Sequence, residues 1–297
     1  LGTGTFLDRY LPGAGTDIDT LARQAWAAGL KRVTGRLYGD ESVFDSLRGV
    51  ADSGFATSPW IGPLSGLSIN AGYTGASLSR FSANPARLAA TTLVKRLRKR
   101  GISVSARVAL ARTPRSVVRR RPLAATESED MAFMARVTNV YSNNFFGEML
   151  VKALGAAKGR GGSTSAGTRV VRSFAASLGA TVQPVDGSGL TFSNRGTAWG
   201  LASLLMRSRG ERWWGHFYRS LPKAGREGTV ADRMKGTAAE GRCRTKTGTL
   251  TGVSTLSGYC FNRSGRRFAF SILMNGVSNT YAARAAQDRI AVLLAGL

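Results

Sequence analysis

The sequence predicts a mixed α/β (α+β) protein, with helix and strand alternating in its N-terminal region and an antiparallel sheet flanked by helices in its C-terminal region. Three observations predict it. Apolar positions at helical spacing alternate with short period-two runs in the first 110 residues. Three strand-like runs, Arg242 to Leu250, Val253 to Phe261 and Arg267 to Asn275, then follow one another across turn-length gaps. An apolar helix from about Tyr281 to Leu297 comes after them, and a sheet with an apolar face needs such a layer to cover it.

Taken in order, the first helix has Thr16 and Asp19 in a capping-box pattern, and Leu21, Ala22, Ala25, Trp26, Ala28 and Leu30 on its apolar face. Arg32 to Tyr38 reads as a strand with Val33, Gly35 and Leu37 on one side and Gly39-Asp40 as its turn. Asp52 to Tyr73, rich in Gly, Ser and Pro, reads as a long loop. A second helix takes Asn84 as N-cap and Pro85 as its first residue, and stops before Gly101. Its basic end, Lys95 to Arg100, suits the negative pole of a helix. Ile102 to Leu110 alternates as a strand. After Pro122, a capping box of Thr126 and Glu129 opens a helix that runs to Tyr141-Ser142-Asn143-Asn144, and a further helix spans Phe145 to Leu154 and ends at Gly155. Residues 159 to 168 read as a flexible connection, and helical patterns recur at 169 to 178 and 197 to 207 around the turn Asp186-Gly187-Ser188-Gly189. The change of character places a domain boundary at 121/122, giving regions 1–121 and 122–297.

Charge and ligand arithmetic exclude several function classes. Lys plus Arg number 42 against 17 Asp plus Glu, a formal charge of +25, so association with polyanions is expected. Thirteen Lys and Arg and no carboxylate fall between Asp52 and Glu127; a solvated basic face and a polyanion-binding surface both fit that interval. The run from Arg112 to Pro122 has no interleaved aromatics, so no specific nucleic-acid platform is expected. One histidine, His216, and two cysteines exclude zinc clusters, H-E-x-x-H proteases and di-iron sites; no metal and no organic cofactor is expected. No stretch of about 18 apolar residues is present. Leu1 to Arg9 has neither the charged nor the apolar part of a signal peptide, and the chain is expected to start inside a longer precursor.

Two short motifs carry chemistry. Lys246-Thr247-Gly248-Thr249 lies in the first of the three strands. An edge strand bearing an ammonium, two hydroxyls and a bare Gly can accept an extended peptide and meet its carboxylate. Ser142-Asn143-Asn144 lies at a break between helices and, taken alone, reads as an Asn/Ser helix cap. The combination is more specific than either part. S-x-N at an interhelical loop, Asp186-Gly187-Ser188-Gly189-Leu190 with Asn194-Arg195, Leu221-Pro222 with Gly225 and Gly228-Thr229, and then K-T-G-T, in that order, resembles one family. It is similar to the low-molecular-mass penicillin-binding D-alanyl-D-alanine carboxypeptidases and endopeptidases that carry a large insert, and Val33-Thr34-Gly35 with Asp40 and Phe44 resembles part of that insert. The resemblance covers nearly the whole chain. It implies a serine β-lactamase/penicillin-binding transpeptidase-like domain in 122–297 and part of an inserted α/β domain in 1–121.

The implied reaction is acyl transfer: a serine attacks the D-Ala-D-Ala amide of a peptidoglycan stem peptide, and water resolves the acyl-enzyme. By this resemblance Ser142 relays a proton to the leaving amine, Asn144 holds the substrate amide and Lys246 supplies positive potential. Thr247 and Thr249 bind the terminal carboxylate, Gly248 belongs to the substrate-binding run, and the backbone N–H of Thr249 is one half of the oxyanion hole. β-Lactams are implied ligands, anionic cell-wall polymers are expected partners, and a secreted or cell-envelope setting follows. The family's third motif, S-x-x-K, belongs upstream of the insert. In these 297 residues only Ser220-Leu221-Pro222-Lys223 has its spacing, and Pro222 within that turn marks it as a decoy. The chain alone is therefore expected neither to hydrolyse D-Ala-D-Ala nor to be acylated by penicillin. A non-catalytic peptidoglycan-binding relative and a basic polyanion-binding protein are the alternative readings.

Cys243 and Cys260 are equidistant from the apparent hairpin turn Thr251-Gly252, which sets them opposite each other at a non-hydrogen-bonded position, about 4.5 Å apart at Cα. A disulfide is compatible with that geometry; two buried thiols are the alternative.

Overall fold

The computed structural model describes residues 17–75, 79–111 and 122–297. The helices are α1 (Ile18–Ala27), α2 (Pro85–Lys99), α3 (Met131–Val140), α4 (Asn144–Lys158), α5 (Thr164–Ser177), α6 (Ala198–Ser208), α7 (Trp214–Ser220) and α8 (Thr280–Gly296). The strands are β1 (Arg32–Val33), β2 (Arg36–Asp40), β3 (Ser103–Val104), β4 (Arg107–Ala111), β5 (Val182–Gln183), β6 (Arg195–Gly196), β7 (Cys243–Leu250), β8 (Val253–Phe261) and β9 (Arg267–Asn275). The described residues fall in two compact units, one within 1–130 and 148–167, the other within 131–147 and 168–297.

In the first unit, β1 pairs with β3 and β2 with β4, both in parallel, and α2 crosses over between them. α1 and α2 bury Ala22, Ala25, Val94 and Leu97 against Ile102 and Val104. Several boundaries differ from the sequence expectation, each for a local reason. Thr16 lies outside the described residues; Asp17 caps α1, its Oδ1 accepting from the Asp19 N–H at 2.9 Å. The strand expected over 32–38 is two strands, broken at Gly35, whose φ is +75°. Gly39 and Asp40 belong to β2 and are not its turn. A Cβ at Gly39 would lie 2.4 Å from the Ala86 carbonyl oxygen, so this glycine lets α2 rest on the strand. Pro85 opens α2 as expected, although the Asn84 side chain makes no capping bond. Segment 148–167 is tied to this unit by Lys152, 1% exposed, whose Nζ donates to Asp45 Oδ1 at 2.5 Å.

The second unit is built on the antiparallel sheet β7-β8-β9. Even-numbered residues of β8 face α8: Leu256 and Cys260 pack with Ala291 and Ala295, and Gln287 Nε2 donates to Ser254 Oγ at 3.0 Å. Odd-numbered residues face α6, where the Tyr259 hydroxyl donates to the Leu205 carbonyl at 2.6 Å. Helices thus cover both faces, and the three strands start and stop within one residue of their expected limits. α3 begins at Met131, later than the Thr126 cap implied, with Glu129 and Asp130 ahead of its positive pole. α4 continues through Gly155 to Lys158, because that glycine serves packing: a Cβ there would come within 2.7 Å of the Gly161 carbonyl oxygen. α5 starts at Thr164, inside the expected connection.

Cys243 pairs with Cys260 in the β7-β8 register, their Cα atoms are 4.1 Å apart and their sulfurs are bonded. Denatured, unreduced protein should therefore show no thiol reactive to a colorimetric reagent, and reduced protein two. Replacing both cysteines with alanine should lower the unfolding free energy by about 3 kcal/mol in urea titration, the usual size for a closed loop of this length.

Candidate active site

The site is assembled on the break between α3 and α4. Tyr141, Ser142 and Asn143 form that break, and Ser142 adopts φ +52°, a left-handed conformation that costs a non-glycine residue energy. Asn143 holds the turn from within: it is buried, and its Oδ1 accepts from the Phe146 N–H at 3.0 Å, capping the first turn of α4. The triplet thus divides its work. Its middle residue performs the capping that the sequence allowed for the whole triplet, and Ser142 and Asn144 flank it.

Two loops support this turn by close backbone contact. A Cβ at Gly228 would lie 2.1 Å from the Val140 carbonyl oxygen, and Gly228 has φ +53°, so only glycine brings the 228–230 loop this close. On the other side, a Cβ at Gly147 would sit 2.6 Å from the Gly187 carbonyl oxygen. The Gly187 loop is itself organised by buried Asp186, which accepts from the N–H groups of Gly189 and Thr191, each at 2.9 Å, and from Asn194 Nδ2 at 2.8 Å.

β7 brings the K-T-G-T run to the same place. Lys246 Nζ donates to Ser142 Oγ at 2.8 Å and to the Thr247 carbonyl at 2.8 Å. Thr247 Oγ1 donates to Thr229 Oγ1 at 2.8 Å, so the Gly228-Thr229 loop touches both the K-T-G-T run and Val140 at the end of α3, which leads into the S-x-N turn. Thr249 Oγ1 accepts from Arg284 Nη2 at 3.2 Å. A Cβ at Gly248 would meet Thr255 Oγ1 at 2.5 Å, so the cross-strand hydroxyl takes the space a side chain would need.

The outer edge of β7 is occupied only at its start. The Cys243 carbonyl accepts from the Ala224 N–H at 2.9 Å, and the Thr245 N–H donates to the Pro222 carbonyl at 3.1 Å. Strand alternation turns the N–H groups of Thr247 and Thr249 to the same edge, where no strand of the described residues pairs with them. That edge can take an extended peptide.

The decoy serine is disposed of by its surroundings. Ser220 ends α7, is 1% exposed, donates to the Phe217 carbonyl at 2.6 Å and accepts from Asn139 Nδ2 at 2.7 Å. Of the residues expected at the site, the structure joins Ser142 to Lys246 directly and sets Asn144 at the first position of α4. Thr229 entered the sequence reading only as part of a motif order. Arg284 had no sequence signal.

The chain belongs to the D-Ala-D-Ala carboxypeptidase 3 (S13) family, whose family model matches residues 68–297. It is 38% identical over 219 residues to a D-alanyl-D-alanine carboxypeptidase of Actinomadura sp. (strain R39), covering 71% of this chain and 40% of that one. It is 33% identical over 162 residues to carboxypeptidase DacB of Mycolicibacterium smegmatis, covering 52% and 35%. The chain therefore spans less than half the length of these curated relatives. Penicillin binding protein 4 from Haemophilus influenzae shares the fold with a TM-score of 0.77 at 20% identity, over 94% of this chain and 79% of that one. A predatory endopeptidase from Bdellovibrio bacteriovorus does so at 0.58 and 20%, over 94% and 73%.

Burial pushes the Lys246 amine down from 10.5 to about 8, and among the described residues no carboxylate pairs with it. It is still mainly an ammonium at pH 7. Between about pH 8 and 10.5 the unfolded chain holds a proton at this lysine that the folded chain has released, so Lys246 contributes a rise of stability with pH, which the raised pKa of buried Tyr259 opposes as pH nears 10. Nitrogen-15 NMR of the lysine amines should place the Lys246 midpoint near 8, and Lys246→Met should abolish that rise in urea midpoints; a midpoint at 10.5 would contradict the burial argument.

Proposed function

We propose that this chain is the substrate-aligning part of a serine-type D-Ala-D-Ala carboxypeptidase or endopeptidase that acts on peptidoglycan stem peptides through an acyl-enzyme. The observation that carries this reading is the 2.8 Å bond from Lys246 Nζ to Ser142 Oγ, which unites two motifs 104 residues apart. A stem peptide lies along the open edge of β7. Its terminal carboxylate meets the Thr247 and Thr249 hydroxyls beside the Lys246 ammonium. The Lys246 proton donated to Ser142 Oγ leaves the serine's own hydrogen free to pass to the departing amine. Asn144 holds the substrate amide. The Thr249 N–H is one half of an oxyanion hole, a donor whose loss typically costs about 10²- to 10³-fold in rate.

The nucleophile is not supplied by these 297 residues, since the one serine at S-x-x-K spacing is buried and fully hydrogen-bonded. β-Lactams, which mimic the D-Ala-D-Ala terminus, enter the same groove. The disulfide supports an oxidising, extracytoplasmic setting. A charge of +25 supports attraction to anionic wall polymers. No helix among the described residues is long and apolar enough to cross a membrane.

Incubating the chain with a fluorescent penicillin should leave no covalent adduct on a denaturing gel. A peptide ending in D-Ala-D-Ala should bind it, and Lys246→Ala should weaken that binding tenfold or more by calorimetry, the scale of a lost charge-assisted hydrogen bond. A covalent adduct, or undiminished binding by Lys246→Ala, would overturn this assignment.

A further inference from the structure

One cation at the site belongs to none of the motifs. Arg284 lies on α8, and its bond to Thr249 Oγ1 sets its guanidinium beside the end of the K-T-G-T run. α8 carries a single carboxylate, Asp288, one turn beyond Arg284 and thus its ordinary helical partner. Asp288 is already engaged: Arg233 donates to its Oδ1 from Nε at 3.0 Å and from Nη2 at 2.7 Å. The same Nη2 reaches Gln287 Oε1 at 3.1 Å and the Arg284 carbonyl at 3.3 Å. Arg233 therefore engages the one carboxylate on the same helix and bonds the backbone carbonyl of Arg284 itself. Among the described residues no carboxylate pairs with Arg284, which is exposed. A guanidinium presents five donors in a planar fork, and Thr249 takes one of them, so an edge remains for a two-point carboxylate contact.

Resting on the reading of the groove as a D-Ala-D-Ala site, we propose that Arg284 is a specificity-determining residue that pairs with the free carboxylate of the peptide's last residue. Thr249 Oγ1, while accepting from Arg284, directs its own hydrogen to the same carboxylate, so helix and strand read one anion together. An uncharged terminus forfeits both the ion pair and the fork geometry.

The test compares two probes on the 297-residue chain at fixed ionic strength: a D-Ala-D-Ala peptide with a free carboxylate, and the same peptide as its C-terminal amide. The wild-type chain should prefer the acid. Arg284→Gln should reduce the acid-to-amide affinity ratio about tenfold while leaving amide affinity unchanged, and Arg284→Lys should restore part of the ratio. Arg289→Gln, an equal loss of charge at an exposed position on the same helix, should leave the ratio as it was. If Arg284→Gln keeps the ratio while Lys246→Ala loses peptide binding, the role of Arg284 is refuted and the groove assignment stands. If the wild-type chain binds neither probe, the groove assignment falls and this role falls with it.

Discussion

The bond from the Lys246 ammonium to the Ser142 hydroxyl is the constraint around which the second unit is organised. An ammonium placed in a half-buried position without a carboxylate must find oxygen acceptors or lose its proton, and the fold supplies two, Ser142 Oγ and the Thr247 carbonyl. One comes from its own strand and the other from a turn between helices. The contact therefore exists only when sheet and turn are both in place. A hydroxyl that accepts from a cation keeps its own hydrogen available, so the contact that stabilises the charge does not use up the donor capacity of Ser142.

Holding that turn is the task of residues that do no chemistry themselves. Ser142 occupies a conformation it would not choose alone, and its neighbours over-determine it: Asn143 from the helix it caps, Gly228 from the loop pressed on Val140, and Gly147 from the helix face pressed on Gly187. Two of these supports are backbone-to-backbone contacts, where a single methyl group would separate the parts. Backbone packing of this kind is stiffer than contact between long side chains, which suits a serine that must stay within hydrogen-bond reach of a lysine on another element.

The sheet was legible from sequence because three runs of strand length follow one another across short turns, so run length and connection length agree. The equal spacing of Cys243 and Cys260 from Thr251-Gly252 gave the pairing partners for the same reason. Boundaries failed where glycine was taken as punctuation. Gly39 and Gly155 stop nothing; each is small because another backbone lies against it, a tertiary fact with no local signature. At the site, S-x-N and K-T-G-T were visible as motifs, and Pro222 was enough to discount Ser220. The capping role of Asn143 was available in the sequence as the ordinary use of such a residue. Arg284 was not: in a chain with so large an excess of arginine, nothing in its neighbours distinguishes it, and only the engagement of Asp288 by Arg233 leaves it uncompensated.

The bridge between Cys243 and Cys260 lies three residues from Lys246, at the far end of β7 from its turn. Side chains alternate along a strand with a period of two, so sliding β7 by one position against β8 would carry the ammonium to the opposite surface of the sheet and bring Thr247 to the serine. A covalent rung at the open end of the ladder forbids that slide. It forms only where thiols are oxidised, so proofreading of the strand alignment is delegated to the redox chemistry of the space in which the hairpin closes.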